Sequence, residues 1–289
     1  TILAPVFSQI LSKLSTKFNT QSVSTPFTAG TVNTSFPSGP NTGFDGTVYD
    51  SKIQPDGKIL VVGDFSYYDF DGDSYYSPNL IRLNTDGSPD FDFNYTFEGW
   101  DNGWYLDNLV YTVDIQSDGK VIIGGDFSYY YGSDSYYSPR IMRFNSDGTY
   151  DDTFYVGDGF NSSVRKLIVL PNDKILVTGD FNYYNNSQYD PNNGPAYWRI
   201  IRLQSNGAPD NSFTPGYGID FDDYGSVSTM VVQPDGKIIL GGDFYNYDGH
   251  SVNYIVRLNS NGTFDTTFTQ GDGFNDTVLS LELQSCLLY

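Results

Sequence analysis

Gln233-Pro234-Asp235-Gly236-Lys237 leads into Gly242-Asp243-Phe244 and then into Ile255-Val256-Arg257-Leu258-Asn259. The chain repeats this pattern four times. The other three copies open at Gln54-Pro55-Asp56-Gly57-Lys58, Gln116-Ser117-Asp118-Gly119-Lys120 and Leu170-Pro171-Asn172-Asp173-Lys174. Self-similarity at this period is typical of a propeller or an array and not of an ordinary globular domain.

Within one copy, the local pattern predicts two hairpins. Val110–Ile115 alternates and is rich in β-branched residues, Asp118-Gly119 is a two-residue turn, and Val121–Ile123 is the return strand. Asp and Gly suit this turn because both tolerate the positive φ that it needs. A second hairpin turns at Asp147-Gly148. The sequence therefore predicts an all-β protein, a β-propeller of four-stranded antiparallel blades, with blades at residues 48–93, 110–154, 164–213 and 227–268.

The two ends of the chain predict one more blade. Residues 278–284 match a first strand, and Lys17-Phe18-Asn19-Thr20 is similar to the third-strand end Arg257-Leu258-Asn259-Ser260. Residues 278–284 and 2–27 would then form a closing blade shared between the termini. The whole chain, 1–289, becomes one domain of five blades with roughly 58 residues each. Residues 1–16 could instead form an amphipathic helix.

Composition limits the classes of function. The net charge is −20, and of 35 acidic residues only Glu98 and Glu282 are not Asp. Such acidity argues against nucleic-acid binding, which needs clustered Lys and Arg. No apolar run is long enough for membrane insertion, and the lone Cys286 allows neither an internal disulfide nor a Cys-based metal site.

The repeated pattern resembles the Delta-60 repeat, a β-propeller repeat without an assigned function. The resemblance covers roughly residues 44–284 and is best at residues 227–268, whereas the third copy departs from it at Leu170 and Asn172-Asp173. It implies the propeller fold. It also implies an origin among bacterial surface or secreted proteins or phage proteins, and it implies no reaction.

Residues present in every copy are predicted to be structural, since a catalytic group is needed only once. The repeated carboxylates are expected to accept hydrogen bonds from the backbone or from arginine inside each blade, with the repeated arginines as their natural partners, because a buried charge needs a partner. The carboxylates are Asp64, Asp126, Asp180 and Asp243, and the arginines are Arg82, Arg143, Arg202 and Arg257. The repeated Lys58, Lys120, Lys174 and Lys237 are expected to be solvated.

Binding is predicted on one face of the propeller. The tight turns emerge on one side, and the loops between strands two and three emerge on the other with the connectors between blades. We call this second side the loop face. Its composition is similar to that of a paratope, with rigid aromatic and small polar residues. The candidate contact residues are Trp100, Trp104, Tyr105, Trp198, Tyr67, Tyr68, Tyr75, Tyr76, Tyr130, Tyr131, Tyr136 and Tyr137. The alternative is that these aromatics merely pack over the blade edges.

Metal and enzyme sites have weaker support. Asp69, Asp71 and Asp73 alternate as at the start of a Ca²⁺ loop, but no Glu follows at the EF-hand distance. No other cofactor is indicated. His250 is the only histidine and lies in a predicted loop without a nucleophile motif. A glycoside hydrolase with two carboxylates remains the enzymatic alternative.

The sequence thus favours a non-enzymatic structural or recognition module on an exterior surface. A phage virion protein is the first choice, because a protein without disulfides but with an Asp-, Asn-, Ser- and Tyr-rich surface suits assembly inside a bacterium and display outside. A secreted or cell-surface, adhesin-like bacterial propeller is the alternative. The expected partner is a neighbouring virion or surface protein or a surface glycan, and a homo-oligomer is a further possibility.

Overall fold

A computed structural model describes residues 42–98, 105–131, 135–137, 139–185, 199–219 and 225–284. These residues form antiparallel sheets and a single helix, α1 (Phe91–Glu98). The all-β propeller architecture predicted from the sequence is confirmed, and four successive repeats share the same strand order.

Each repeat has a central sheet of three strands, with the second strand in the middle. The first strands are β2 (Thr47–Ile53), β8 (Val110–Ile115), β13 (Val164–Val169) and β16 (Ser226–Val232). The second strands are β3 (Ile59–Asp64), β9 (Val121–Gly125), β14 (Ile175–Gly179) and β17 (Ile238–Asp243). The third strands are β6 (Leu80–Leu83), β12 (Ile141–Phe144), β15 (Ile200–Leu203) and β20 (Ile255–Leu258).

The fourth strand of the predicted blade is reduced to a single bridge. In the second repeat, only Phe144 pairs with Tyr150. The backbone then turns, because the Asp151 carboxylate accepts hydrogen bonds from the N–H of Thr153 at 3.0 Å and from its hydroxyl at 2.5 Å. A side chain that captures the local backbone competes with the sheet ladder. The prediction of four full strands per blade is therefore wrong for the described residues.

Short strands flank these central sheets on the loop face. In three of the repeats a hairpin follows the second strand. Two of these hairpins also pair with a short strand that precedes a first strand. The hairpin strands are β4 (Tyr67–Phe70), β5 (Asp73–Tyr76), β10 (Ser128–Tyr131), β11 (Ser135–Tyr137), β18 (Asn246–Tyr247) and β19 (His250–Ser251). The connector strands are β1 (Gly43–Phe44) and β7 (Tyr105–Asp107).

The first strands lie side by side in chain order and form the inner ring. Lys166 of β13 reaches Asp50 of β2, two repeats away, with 2.8 Å between Nζ and Oδ2. The same Asp50 oxygen accepts a hydrogen bond from the Thr112 hydroxyl of β8 at 3.0 Å. These contacts place the three strands around a common axis.

Apolar side chains fill the spaces between neighbouring repeats. Leu60 and Val62 of the first repeat share a buried cluster with Val113 and Ile123 of the second. The sheets approach closely where a glycine stands: a Cβ on Gly124 would lie 2.5 Å from Cγ1 of Val164. Burial of this kind stabilises by roughly 25 cal/mol per Å² of apolar surface.

Residues 278–284 are irregular in the structure, but they contact the fourth repeat as a following first strand would. The Leu281 N–H donates to the Thr229 hydroxyl at 3.2 Å, as the Leu167 N–H donates to Thr112 at 3.3 Å. Val278 packs at Gly241 as Val164 packs at Gly124. Residues 2–27, predicted to complete this closing blade, lie outside the described residues, so the number of five blades remains a prediction.

Candidate functional site

Each of the four repeats contains the same ion cluster, which we call the hub. In the second repeat, Lys120 Nζ and Arg143 Nε both lie 2.9 Å from Oδ2 of Asp151. The other hubs join Lys58 and Arg82 to Asp90, Lys174 and Arg202 to Asp210, and Lys237 and Arg257 to Asp265, at 2.6–2.9 Å. The four hub carboxylate side chains are only 2–6% exposed. The guanidinium also lies over a phenylalanine ring, at 4.7 Å for Arg143 and Phe154.

The hubs correct two predictions. The repeated arginines do not pair with the Gly-Asp-Phe carboxylates but with an aspartate eight residues downstream, because the bridge after the tight turn brings that aspartate back beside the arginine. The repeated lysines are not simply solvated, since each contributes a second cation to the same carboxylate. Their side chains are 26–32% exposed, so the stems are largely covered.

The hub arginines also join neighbouring repeats. Nη1 of Arg82, Arg143 and Arg202 donates at 2.6 Å to the backbone carbonyl of Ser146, Ser205 and Ser260, respectively. Each acceptor lies in the tight turn of the next repeat. Each of these arginine side chains therefore binds the hub carboxylate of its own blade and a turn of the following blade.

The unusual turn of the third copy has a structural explanation. Asp173 has φ 60°, at the position where Gly57, Gly119 and Gly236 have φ 83–87°. Its carboxylate accepts a hydrogen bond from the Ser117 N–H of the preceding repeat at 2.7 Å. The inter-repeat bond offsets the cost of a non-glycine residue with positive φ.

The Gly-Asp-Phe carboxylates lie at the loop face and have different surroundings. Asp180 binds Arg165 Nη2 at 2.7 Å, and Asp126 lies 3.3 Å from Arg140 Nε. Asp64 and Asp243 are exposed. Their shared position is a property of the repeat, whereas their partners differ from blade to blade.

The hubs predict a loss of stability in acid. Burial alone would raise the pKa of Asp151 and of Asp210, but hydrogen bonds from Lys, Arg and hydroxyl groups outweigh it and hold both pKa values far below the usual range. A carboxyl whose pKa is lower in the folded than in the unfolded state stabilises the fold above about pH 4 and loses this contribution as the pH falls further. We expect the free energy of unfolding, measured by urea titration, to be level from pH 7 to 5 and to fall steeply below pH 4. A level profile down to pH 2 would contradict the hub assignment.

The predicted contact residues divide into surface and core. Tyr67 and Tyr76 are 43% exposed and pack edge to face, with 5.3 Å between ring centroids, on the hairpin β4–β5. Tyr68 is 0% exposed, and its hydroxyl donates to the Gly87 carbonyl at 2.9 Å. Successive residues of a strand point to opposite faces, so Tyr68 belongs to the core and its assignment to the contact face is wrong.

The buried tyrosine recurs. Tyr184 and Tyr247 donate to the carbonyls of Gly207 and Gly262 in the same way, each at 2.8 Å. We expect Tyr68→Phe to lower the free energy of unfolding by about 1–2 kcal/mol, because the Gly87 carbonyl loses its buried donor. Tyr67→Phe is the matched control one residue away and should change stability by less than about 0.5 kcal/mol. Equal effects of the two substitutions in a denaturation assay would contradict the assignment of Tyr68 to the core and of Tyr67 to the surface.

The predicted Ca²⁺ loop does not form. Asp71 and Gly72 have φ 52° and 93° and make the two-residue turn of a hairpin in which Asp69 is opposite Ser74 and Asp73 is opposite Phe70. Asp69 and Asp73 therefore lie on opposite faces of the ribbon. The Ser74 hydroxyl donates to Asp69. In the described part of the chain, no group of three or more His, Cys, Asp or Glu could hold a metal ion.

Several predicted contacts cannot be placed. Trp100, Trp104 and Trp198 lie outside the described residues. For five tyrosines the backbone is described in β7, β10 and β11 but the side chain lies outside the description: Tyr105, Tyr130, Tyr131, Tyr136 and Tyr137. Tyr75 is described and packs edge to face on Phe91 at 5.4 Å.

The structure adds a candidate site that the sequence prediction missed. Each first strand has a β-bulge at its second or third residue, and the bulged residues are Tyr49, Tyr111, Arg165 and Ser228. A bulge re-aims a side chain and is common beside functional sites. These four residues occupy the loop-face end of the inner ring. The four bulged positions carry different residue types in copies that are otherwise similar. This difference is visible in the sequence and could have identified these positions.

Three of the bulged residues are linked by contacts through Tyr111. The rings of Tyr49 and Tyr111 pack edge to face with 5.2 Å between centroids, and the Arg165 guanidinium lies 4.7 Å from the Tyr111 centroid. Arg165 is held on Asp180 by a hydrogen bond from Nε to Oδ2 at 2.8 Å and by an ion pair between Nη2 and the same oxygen at 2.7 Å. We call Tyr49, Tyr111, Arg165 and Asp180 the axial cluster.

The surroundings shift the pKa values of two members of this cluster. Burial raises the pKa of Tyr111, against the opposing effect of Arg165. Burial disfavours the charged form of Arg165, but the ion pair with Asp180 outweighs this and raises its pKa. At neutral pH Tyr111 is therefore a neutral phenol and Arg165 a charged guanidinium.

A family model matches the chain at residues 54–93, 116–154, 170–213 and 233–268, together more than half of it. The chain belongs to the family described as "Domain of unknown function (DUF5122) beta-propeller". This is the family of Delta-60-type repeats, as the sequence resemblance predicted, and it has no assigned function. No curated protein matches the chain.

Solved structures give distant similarities. A protein of unknown function from Bacteroides caccae matches with 12% identity and a TM-score of 0.36, over 75% of this chain and 65% of its own. PorZ, a surface component of the type-IX secretion system of Porphyromonas gingivalis, matches with 14% identity and a TM-score of 0.31, over 84% of this chain and 27% of its own. The chain thus spans less than two thirds of either protein. These similarities carry no functional argument.

No helix among the described residues is both long and apolar enough to cross a membrane.

Proposed function

We propose that this propeller is a non-enzymatic recognition module that contacts a partner through its loop face. The supporting observation is the distribution of exposed apolar side chains. In the described residues, the exposed large apolar side chains lie in loop-face hairpins, in connectors between repeats or at the start of a first strand, and none lies in a tight turn. They are Tyr49, Tyr67, Tyr76, Phe91, Tyr155, Tyr217, Tyr245, Phe274 and Leu279. Tyrosine at this density is typical of contact surfaces.

The carboxyl groups favour binding over hydrolysis. A glycoside hydrolase needs one carboxyl with a raised pKa as its general acid. In the described part of the chain, each Asp with a shifted pKa has it lowered: Asp86, Asp90, Asp147, Asp151, Asp173, Asp210 and Asp265. His250 lies in β19, where its ring stacks on Phe264 at 4.0 Å and its Nδ1 lies 3.0 Å from the Asp248 carbonyl oxygen.

We place the module on an exterior surface, that of a phage virion first and that of a bacterial cell second. The acidic, Tyr-rich composition supports an exterior position, and a rigid blade scaffold suits a subunit that presents loops. The partner is a surface glycan or a neighbouring protein, including a second copy of this chain.

The test combines a glycan array with native mass measurement. We expect the purified chain either to bind defined glycans or to self-associate, and the double variant Tyr67→Ser/Tyr217→Ser to weaken that contact. The matched control is Thr85→Ala/Ser146→Ala, which changes two exposed residues of the tight turns on the opposite side. Loss of contact in the control with retention in the loop-face variant would refute the proposal. Turnover of a panel of chromogenic glycosides would refute its non-enzymatic part.

A further inference from the structure

The axial cluster is a unique constellation built on a repeated scaffold. The bulge occurs in all four first strands, whereas the bulged residues are two tyrosines, one arginine and one serine. A structural role would be met by the same residue in each blade, as it is in the hubs. A set of different residues at equivalent positions around one axis is the pattern expected of a site that is needed once.

The cluster is also rigid before any ligand arrives. The Tyr49 ring is held at its edge by Tyr111, which is in turn covered by Arg165. Arg165 cannot swing away without breaking its hydrogen bond and its ion pair with Asp180. Side chains that are already ordered lose little conformational entropy on binding, so a small ligand can be held by few contacts.

Exposure shows which part of the cluster faces solvent. Tyr49 is 45% exposed, and the side chains of Arg165 and Asp180 are 39% and 24% exposed. Tyr111 is mostly covered. The partly exposed members of the cluster are therefore an aromatic ring, a guanidinium and a carboxylate whose Oδ1 is buried without a hydrogen-bond partner among the described residues.

We propose that the axial cluster binds a neutral saccharide unit. A sugar ring has an apolar C–H face that packs on an aromatic ring, and hydroxyls that need donors and acceptors at its rim. The net charge of −20 disfavours an anionic saccharide. This inference rests on the proposed loop-face function and names the ligand class and the residues for one part of that face.

The test uses saturation-transfer NMR with a panel of neutral oligosaccharides, followed by titration of the best binder. We expect Tyr49→Ala to weaken binding at least tenfold, because the stacking face is lost. Arg165→Lys should also weaken it, because lysine keeps the charge but not the guanidinium fork. Tyr49→Phe should retain most of the affinity. The control Thr85→Ala changes an exposed residue of a tight turn on the opposite side of the propeller, and it should leave the affinity unchanged.

Three outcomes would overturn the inference. If a saccharide binds and Tyr217→Ala or Tyr67→Ala abolishes binding while Tyr49→Ala does not, the loop-face function stands but the axial cluster is not its site. If no neutral saccharide binds while the chain self-associates through its loop face, the ligand class is wrong and the proposed function survives. If a cationic peptide binds in a Tyr49-dependent manner and saccharides do not, the cluster is a site for a different partner. Circular dichroism of each variant establishes that a loss of binding is not a loss of fold.

Discussion

Asp151→Ala is expected to lower the free energy of unfolding by about 3 kcal/mol, a large effect for one substitution. The carboxylate is only 4% exposed and forms ion pairs with both Lys120 and Arg143. Its removal leaves the Arg143 guanidinium, with 6% side-chain exposure, without its carboxylate. Lys120 can turn toward water, which keeps the loss near the lower end of the range for broken buried ion pairs.

The neighbouring Asp152 provides the matched control. It lies in the same turn but is exposed, so Asp152→Ala should change stability by less than about 0.5 kcal/mol. Urea denaturation of both variants measures the difference. A loss below about 1 kcal/mol for Asp151→Ala would mean that the hub does not stabilise the blade.

Removal of residues 1–27 is expected to be still more damaging, with a loss of more than about 5 kcal/mol and self-association of the product. The sequence predicts that residues 2–27 supply most of the closing blade. On the described side of that junction, Phe274 is 51% and Leu279 77% exposed. Arg257 has its own hub, but within the described residues its guanidinium reaches no turn carbonyl of a following blade, unlike Arg82, Arg143 and Arg202.

A shorter deletion separates the two interpretations of the N-terminus. If residues 1–16 form a strand of the closing blade, their removal should cost nearly as much as removal of 1–27. If they form a peripheral helix, their removal should leave stability within about 1 kcal/mol of the full chain. Light scattering and urea denaturation of the three proteins measure both effects. A monomeric, fully stable chain after removal of 1–27 would exclude the closing blade.

The axial cluster and the burial of Tyr68 could not be predicted from the sequence. Tyr67 and Tyr68 are identical in type and adjacent, so composition assigned both to the contact face. Only the direction of each side chain on β4 separates them. The bulged Tyr49 and Tyr111 lie in first strands that were interpreted as scaffold. The bulge that turns them toward the loop face depends on how two strands pair, and a one-dimensional pattern of strand residues does not reveal that pairing.

The propeller and its tight turns follow from local features, because each hairpin joins residues close together in the chain and Asp-Gly turns impose the reversal. The pairing of charges does not follow in this way. The blade that contains Arg82 also contains two repeated carboxylates, Asp64 and Asp90. The short bridge after the turn brings Asp90 to 2.6 Å from its Nε, whereas Asp64 is exposed. Lys166 meets Asp50, 116 positions away, because both lie on inner strands. Contacts of this range depend on the assembly of blades around the axis, since distance along the chain carries no information about them.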